Sequence, residues 1–166
     1  MNDVLATLEA FYRDALARVV RHEAHARLIR QYDANNTYQY IINRDETHLS
    51  WLSSAISELG GRVNDDVGPQ GKDESTKDES TSARDTPQLI QSDVQEAAAF
   101  VGSWRPRVAA MPNARHAKML NVIIGEVLEQ QRFFEQAATG RIDLLGRRGE
   151  QLEPASGEVL PSRWIE

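Results

Sequence analysis

The 166-residue sequence contains no cysteine, so it can form no disulfide, thiolate metal site, iron–sulfur cluster or cysteine nucleophile. It also lacks a basic excess: the formal net charge is −6, which disfavours binding to nucleic acid or to an anionic membrane. No uninterrupted apolar run is long enough for a signal peptide or a membrane span. We therefore expect a cytoplasmic protein in which any metal ion is held by Asp, Glu and His.

Catalytic and cofactor motifs are missing as well. There is no Gly-rich phosphate loop, no dinucleotide fingerprint and no Ser/His/Asp arrangement. The hydrophobic content of 40% is ordinary for one soluble domain with a buried core. We expect the aromatic side chains to belong to that core and not to a cofactor pocket; the main ones are Tyr12, Phe100, Trp104, Phe133 and Phe134.

Apolar residues recur at helical spacing in four segments, which predicts an all-α protein with four amphipathic helices. The predicted helices, with their caps, cover residues 4–32, 36–59, 86–104 and 113–139. N-caps are expected at Asn36, Thr86 and Asn113, and glycine stops at Gly60 and Gly140. Pro106 is expected to kink or end the third helix near Trp104.

The connections between the helices differ in length. The first two helices and the last two are joined by short turns, whereas residues 62–85 form a long polar crossover that contains the sequence KDEST twice. We predict that the crossover is disordered and that residues 1–140 form an antiparallel four-helix bundle of two hairpins. An up-down-up-down bundle is the alternative. Residues 141–166 form an irregular tail, expected to pack on the bundle or on the partner in a homodimer.

Two polar residues interrupt the apolar face of the second helix. Asp45 and His48 are spaced i, i+3, so both side chains project from the face that meets the other helices. On the first helix, Glu23 lies at the edge of the core stripe, about as far from the intervening turn as Asp45, or ~16 Å. The spacing therefore permits one shared site.

The second hairpin offers a matching set of acids. Glu96 and Glu129 lie roughly 25 Å from the turn at residues 112–113, and Glu126 is one turn nearer to it. If that turn is at the far end of a ~40 Å bundle, all these carboxylates lie at one level. Carboxylates with one imidazole are ligands that suit Fe or Mn, and two bridged metals would neutralise the buried negative charge.

Residues 44–52, RDETHLSWL, resemble the second-helix segment of the ferritin-like superfamily, which includes rubrerythrins and bacterioferritins. The family pattern there is Glu-x-x-His, and this chain has Asp45-x-x-His48. The resemblance implies a ferritin-like bundle in which Glu23 and Glu96 correspond to the glutamates of the first and third helices. The family's second Glu-x-x-His is absent, because the fourth helix has Glu126-x-x-Glu129. This leaves open an all-carboxylate second half, a single metal or no metal.

Two functions are therefore predicted, and enzymatic activity is left open between them. The first is a ferritin-like Fe or Mn protein, with oxidation of Fe(II) by oxygen or peroxide implied by the resemblance. Its candidate ligands are Glu23, Asp45, His48, Glu96, Glu126 and Glu129. The second is a metal-free bundle with an interaction or structural role. His22, His25 and His116 are expected at the surface or rim, with His22 as a reserve ligand.

Overall fold

The computed structural model describes residues 2–64 and 86–141. Within these residues the protein is all-helical, with four α-helices and no strand: α1 (Asn2–Leu28), α2 (Tyr32–Glu58), α3 (Thr86–Ala109) and α4 (Ala114–Ala138). None of the four is both long and apolar enough to cross a membrane. The predictions for the KDEST repeats and for the tail beyond residue 141 concern residues outside the described part.

The glycine stops expected for the second and fourth helices are confirmed. Gly60 has a φ of +80° and its N–H donates to the carbonyl of Ser57, while the N–H of Gly61 reaches back to Ile56. These are the two hydrogen bonds of a Schellman motif, which satisfies carbonyls at a helix end. Gly140, with a φ of +86°, ends α4 in the same way. At the other end of α4, the Asn113 side chain accepts from the N–H of His116 at 3.1 Å, as a helix cap should.

The turn between α1 and α2 differs from the prediction. α1 ends at Leu28 and α2 already begins at Tyr32, so Asn36 lies inside α2 and caps nothing at its start. The buried residue is Asn35, whose side-chain amide donates to the carbonyl oxygens of Ala26 at 2.9 Å and Ile29 at 3.4 Å. An amide from α2 thus satisfies carbonyls at the end of α1, a tertiary contact that local capping rules do not register.

Pro106 was expected to kink or end α3 near Trp104, and the expected end is wrong, because α3 runs through Pro106 to Ala109. A proline at this position cannot donate to the carbonyl of Gly102, four residues earlier. Gly102 and Pro106 are both exposed, so water can reach that carbonyl. Trp104 and Val108, on the opposite side of the helix, are buried in the core and hold this last turn in place.

Each helix packs mainly against its hairpin partner, α1 on α2 and α3 on α4, and weaker contacts join α1 to α3 and α2 to α4. The pairs in contact across α1 and α3 include Arg21 with Asp93, Arg18 with Glu96 and Asp14 with Trp104. The pairs in contact across α2 and α4 include Tyr38 with Phe134, His48 with Glu126 and Glu58 with Arg115. In both sets, residue numbers rise along one helix as they fall along the other.

The hydrophobic core is divided into two clusters. One cluster includes Leu8, Phe11, Leu52, Phe100, Trp104 and Leu120. The other includes Ala26, Ile29, Tyr38, Ile41, Ile90 and Phe134. Between them, every helix contributes buried polar side chains, and we call this set the polar layer: Arg18, His22, Asp45, His48, Asp93 and Gln130. Burying so many polar groups in the middle of a bundle requires partners for each of them.

Candidate functional site

Asp45 is the centre of one half of the polar layer. Gln130 donates to its Oδ1 at 2.6 Å, and the Nδ1 atom of His48 lies 3.6 Å from the same oxygen. Its Oδ2 lies 3.3 Å from Nδ1 of His22. Burial raises the pKa of Asp45, but the His22 and His48 rings and the charge of Arg18 outweigh this effect and hold the pKa below its ordinary value. The Asp45 carboxylate is therefore ionised at neutral pH.

His48 connects Asp45 to Glu126 on α4. Its Nε2 lies 3.0 Å from Glu126 Oε2, so the ring stands between two carboxylates. Arg44 donates to the same Glu126 with both Nε, at 2.9 Å, and a terminal nitrogen, at 2.5 Å. Burial raises the pKa of Glu126, but the Arg44 hydrogen bonds and the nearby His48 lower it below its usual value. A bidentate guanidinium pair of this kind holds the carboxylate in one orientation.

Arg18 is the buried cation of the layer, with only 3% of its surface exposed. One terminal nitrogen donates to Glu96 at 2.8 Å and the other donates to the side-chain oxygen of Gln130 at 2.8 Å. Its guanidinium lies over the Phe100 ring, 4.9 Å from the centroid. Since Gln130 in turn donates to Asp45, a continuous chain of hydrogen bonds runs from Glu96 through Arg18 and Gln130 to Asp45.

Asp93 is the centre of the other half of the layer. It accepts from Arg21 Nε at 2.7 Å, from His25 Nδ1 at 2.7 Å and from the hydroxyl of Tyr38. Burial raises the pKa of Asp93, but the His25 hydrogen bond, the nearby His22 and the Tyr38 hydrogen bond outweigh it and lower the pKa. Burial and the Asp93 charge together raise the pKa of the Tyr38 hydroxyl well above its usual value. Tyr38 therefore stays a neutral donor.

A few buried polar atoms have no hydrogen-bond partner. They include both ring nitrogens of His22 and the Oδ2 atom of Asp45. His22 Nδ1 and Asp45 Oδ2 are within hydrogen-bond distance of each other, but the angle between them is unsuitable for a hydrogen bond. The two ring nitrogens of His116, in the first turn of α4, are also unpartnered. Unpaired groups in the interior are costly, so each is a position where water, an ion or a proton would stabilise the fold.

The structure brings some of the six predicted ligands together. Asp45, His48 and Glu126 are in contact, and Glu96 is linked to Asp45 through Arg18 and Gln130. Glu23 instead forms a 4.0 Å pair with Arg27, whose side chain is largely exposed. Glu129 is exposed on α4. Within residues 2–64 and 86–141, no group of three or more His, Asp or Glu side chains is placed so that it could hold a metal ion.

Three central residues were missed by reading the sequence: Arg18, Asp93 and Gln130. Each fits the helical spacing of its apolar stripe; Asp93, for example, follows the buried Ile90 by three positions. The helical spacing of the apolar residues could therefore have identified these three positions as buried. The expectation that His22, His25 and His116 lie at the surface or rim is wrong, because all three are buried.

No protein-family model, curated protein or solved structure matches this chain. The polar layer itself is therefore the basis on which function is inferred.

Proposed function

We propose that this chain is a four-helix bundle of the ferritin-like arrangement whose centre is held together by side-chain ion pairs in place of metal ions, and that it acts as an interaction or structural protein. The reversed order of contacts supports the arrangement, because it makes α1 antiparallel to α3 and α2 antiparallel to α4. With antiparallel hairpins, α2 and α3 then run in the same direction. Parallel helices need a long connection such as residues 59–85.

One observation supports metal independence above all: carboxylates that were expected to bind metal are already paired within the protein. Arg18 binds Glu96, and Arg44 binds Glu126 through two hydrogen bonds. Asp45 accepts from Gln130, an uncharged amide. A metal ion would have to displace these groups and leave the buried guanidinium charge of Arg18 without its partner, which is strongly unfavourable.

The charge of the layer leads to the same conclusion. Together with the charged side chains that contact it, the layer has four carboxylates and three guanidinium groups: Asp45, Asp93, Glu96 and Glu126, and Arg18, Arg21 and Arg44. One negative charge remains, which a single imidazolium would neutralise. Two divalent ions would instead add four positive charges, whereas only one uncompensated negative charge is present to neutralise them. The iron centre implied by the family resemblance therefore does not fit these residues, and no reaction step is assigned to it.

Two exposed apolar side chains on the surface support an interaction role. Trp51 and Val122 are large apolar side chains with 38% and 51% of their surface exposed. They lie on α2 and α4, one helical turn from the contacting pair His48 and Glu126, so both belong to the same stretch of the bundle. A second copy of the chain is the partner we expect on this side, because symmetric dimers are the commonest assemblies.

Metal analysis tests the proposal directly. We expect the purified protein to retain substoichiometric Fe and Mn, anaerobic Fe(II) followed by oxygen to give no ferric absorbance above a buffer control, and a chelator to leave the melting temperature unchanged. His48→Ala should lower the melting temperature without any change in metal content. Stoichiometric metal in the unaltered protein, lost on His48→Ala, would overturn the proposal.

A second candidate, a single divalent ion, is favoured by the unpartnered atoms. His22 Nδ1 and Asp45 Oδ2 are buried, 3.3 Å apart and without hydrogen bonds. Imidazole and carboxylate are a donor pair that suits Fe or Mn. His116 provides a matched control, because it is also buried and both of its ring nitrogens are without a hydrogen-bond partner. One ion per chain that is lost on His22→Ala but kept on His116→Ala would favour this candidate over metal independence.

A further inference from the structure

We infer that Arg18 is the residue that excludes metal ions from the polar layer: its guanidinium supplies, between Glu96 and the Gln130–Asp45 pair, the positive charge that a divalent ion would otherwise supply. This inference rests on the proposed metal independence and names its cause. Whether the centre of the bundle is held by ion pairs or by a metal ion would then depend on the side chain of Arg18 alone.

The position of Arg18 carries the argument. Its two terminal nitrogens point to different helices, one to Glu96 on α3 and one to Gln130 on α4, each at 2.8 Å. The side-chain amide of Gln130 in turn donates to Asp45 on α2 at 2.6 Å. A single cation on α1 therefore binds oxygen atoms of α3 and α4 directly and is linked to the carboxylate of α2 through Gln130. Metal ions in the core of helical bundles likewise join side chains from facing helices.

Arg44 does not share this position. Its side chain is 37% exposed, and its forked donors bind a single carboxylate, Glu126. Water can solvate the site if Arg44 is removed. Arg18, by contrast, is enclosed by the Phe100 ring and the interior of the bundle. The two arginines thus form a matched pair, since both bind a carboxylate but only one lies at the centre.

Removing Arg18 should expose a cation site. Glu96 and the Gln130 side-chain oxygen would then face a space with the volume of a guanidinium group and no positive charge inside it, with the Asp45 carboxylate one hydrogen bond beyond Gln130. The positive charge of Arg18 already helps to lower the pKa of Asp45, so the carboxylate would lose one source of its stabilisation. Hard divalent ions such as Mn²⁺ prefer carboxylate and amide oxygens, and such an ion would restore both the charge and the contacts.

The test compares Mn²⁺ binding, followed by electron paramagnetic resonance, in the unaltered protein, Arg18→Ala, Arg18→Lys and Arg44→Ala. We expect Arg18→Ala to bind one Mn²⁺ per chain at least about a hundredfold more tightly than the other three proteins, because only this variant removes the central charge. Its melting temperature without metal should fall by about 10 °C and recover as Mn²⁺ is added. Arg18→Lys keeps a charge in the layer and should exclude Mn²⁺.

Several results would overturn the inference. Folded Arg18→Ala that binds no Mn²⁺ at millimolar concentration is one, and equal binding by Arg18→Lys is another. If Arg18→Ala does not fold, adding Mn²⁺ or methylguanidinium should restore its helical circular dichroism, and rescue by neither cation contradicts the role of Arg18. Metal in the unaltered protein overturns the proposed function itself, whereas metal-free unaltered protein with metal-free Arg18→Ala overturns this inference alone.

Discussion

At the scale of single residues, Asp93 shows how the bundle accommodates charge in its interior. Its side chain is fully buried, and it accepts from a guanidinium, an imidazole and a phenol contributed by both helices of the other hairpin. Three donors offset the cost of removing a carboxylate from water, and the guanidinium offsets its charge. The same reasoning predicts that losing the carboxylate charge affects the fold more than losing any one donor.

We therefore predict that Asp93→Asn destabilises the protein by about 3 kcal/mol, because it leaves Arg21 without its counter-charge and replaces one acceptor oxygen by a donor. Tyr38→Phe removes only one of the three donors and should cost about 1 kcal/mol. Urea denaturation at neutral pH measures both values. A larger loss for Tyr38→Phe than for Asp93→Asn would mean that the phenol, not the charge, holds this half of the layer.

At the scale of helices, the termini that obey local rules were predictable and those held by tertiary contacts were not. Asn113 caps α4 and Gly60 ends α2, both through hydrogen bonds to neighbouring backbone atoms. Asn35 instead satisfies α1 carbonyls from a position inside α2. Its role depends on how the two helices meet, which the local sequence does not specify.

The two neighbouring asparagines give a direct comparison. Asn35→Ala should destabilise the fold by about 1 to 2 kcal/mol, because it leaves the carbonyl oxygens of Ala26 and Ile29 without this donor. Asn36→Ala should change stability by less than about 0.5 kcal/mol, since Asn36 does not cap α2. Thermal or chemical denaturation of both variants is the measurement. The reverse ranking would favour the start of α2 at Asn36 that the sequence suggested.

The end of α2 allows a second prediction at this scale. A Cβ atom added at Gly61 would lie 2.5 Å from Leu5 Cδ1 and 2.8 Å from Ile56 Cγ2. We expect Gly61→Ala to cost about 1 to 3 kcal/mol through overpacking. In a Leu5→Ala background the nearest obstacle is gone, so the same change should cost less. A double-mutant cycle by urea denaturation measures this coupling, and purely additive losses would show that Leu5 is not the obstacle.

At the scale of the whole molecule, the polar layer joins the two hairpins. Arg18, Arg21 and Tyr38 of the first hairpin bind residues of the second. The four helices could be read from apolar periodicity, which repeats within each segment. The pairing of Arg18 with Glu96 could not be predicted from the sequence. The two residues are 78 positions apart in the chain, and their pairing depends on the register between α1 and α3. The prediction that the candidate carboxylates of both hairpins lie at one level rested on helix length alone.

These inter-hairpin pairs predict how stability depends on pH. The pKa values of Asp45, Asp93 and Glu126 are lowered in the folded protein, whereas unfolded Asp and Glu titrate near about 3.9 and 4.3. Their stabilisation is therefore fully present above the unfolded pKa values and is lost as the pH falls through the folded ones. We expect the contribution of these three groups to be constant above about pH 5 and to fall, below about pH 4, by up to about 4 kcal/mol per pH unit.

A core variant separates this proton linkage from general destabilisation. Asp93→Asn should reduce the acid slope by about one proton, or about 1.4 kcal/mol per pH unit, because one of the linked groups is gone. Leu120→Ala lowers stability by emptying part of the core, but it removes no titrating group, so its acid slope should equal that of the unaltered protein. The free energy of unfolding, measured in urea between pH 7 and pH 3, gives all three slopes. If Asp93→Asn keeps the full slope, Asp93 is not one of the groups through which acid separates the hairpins.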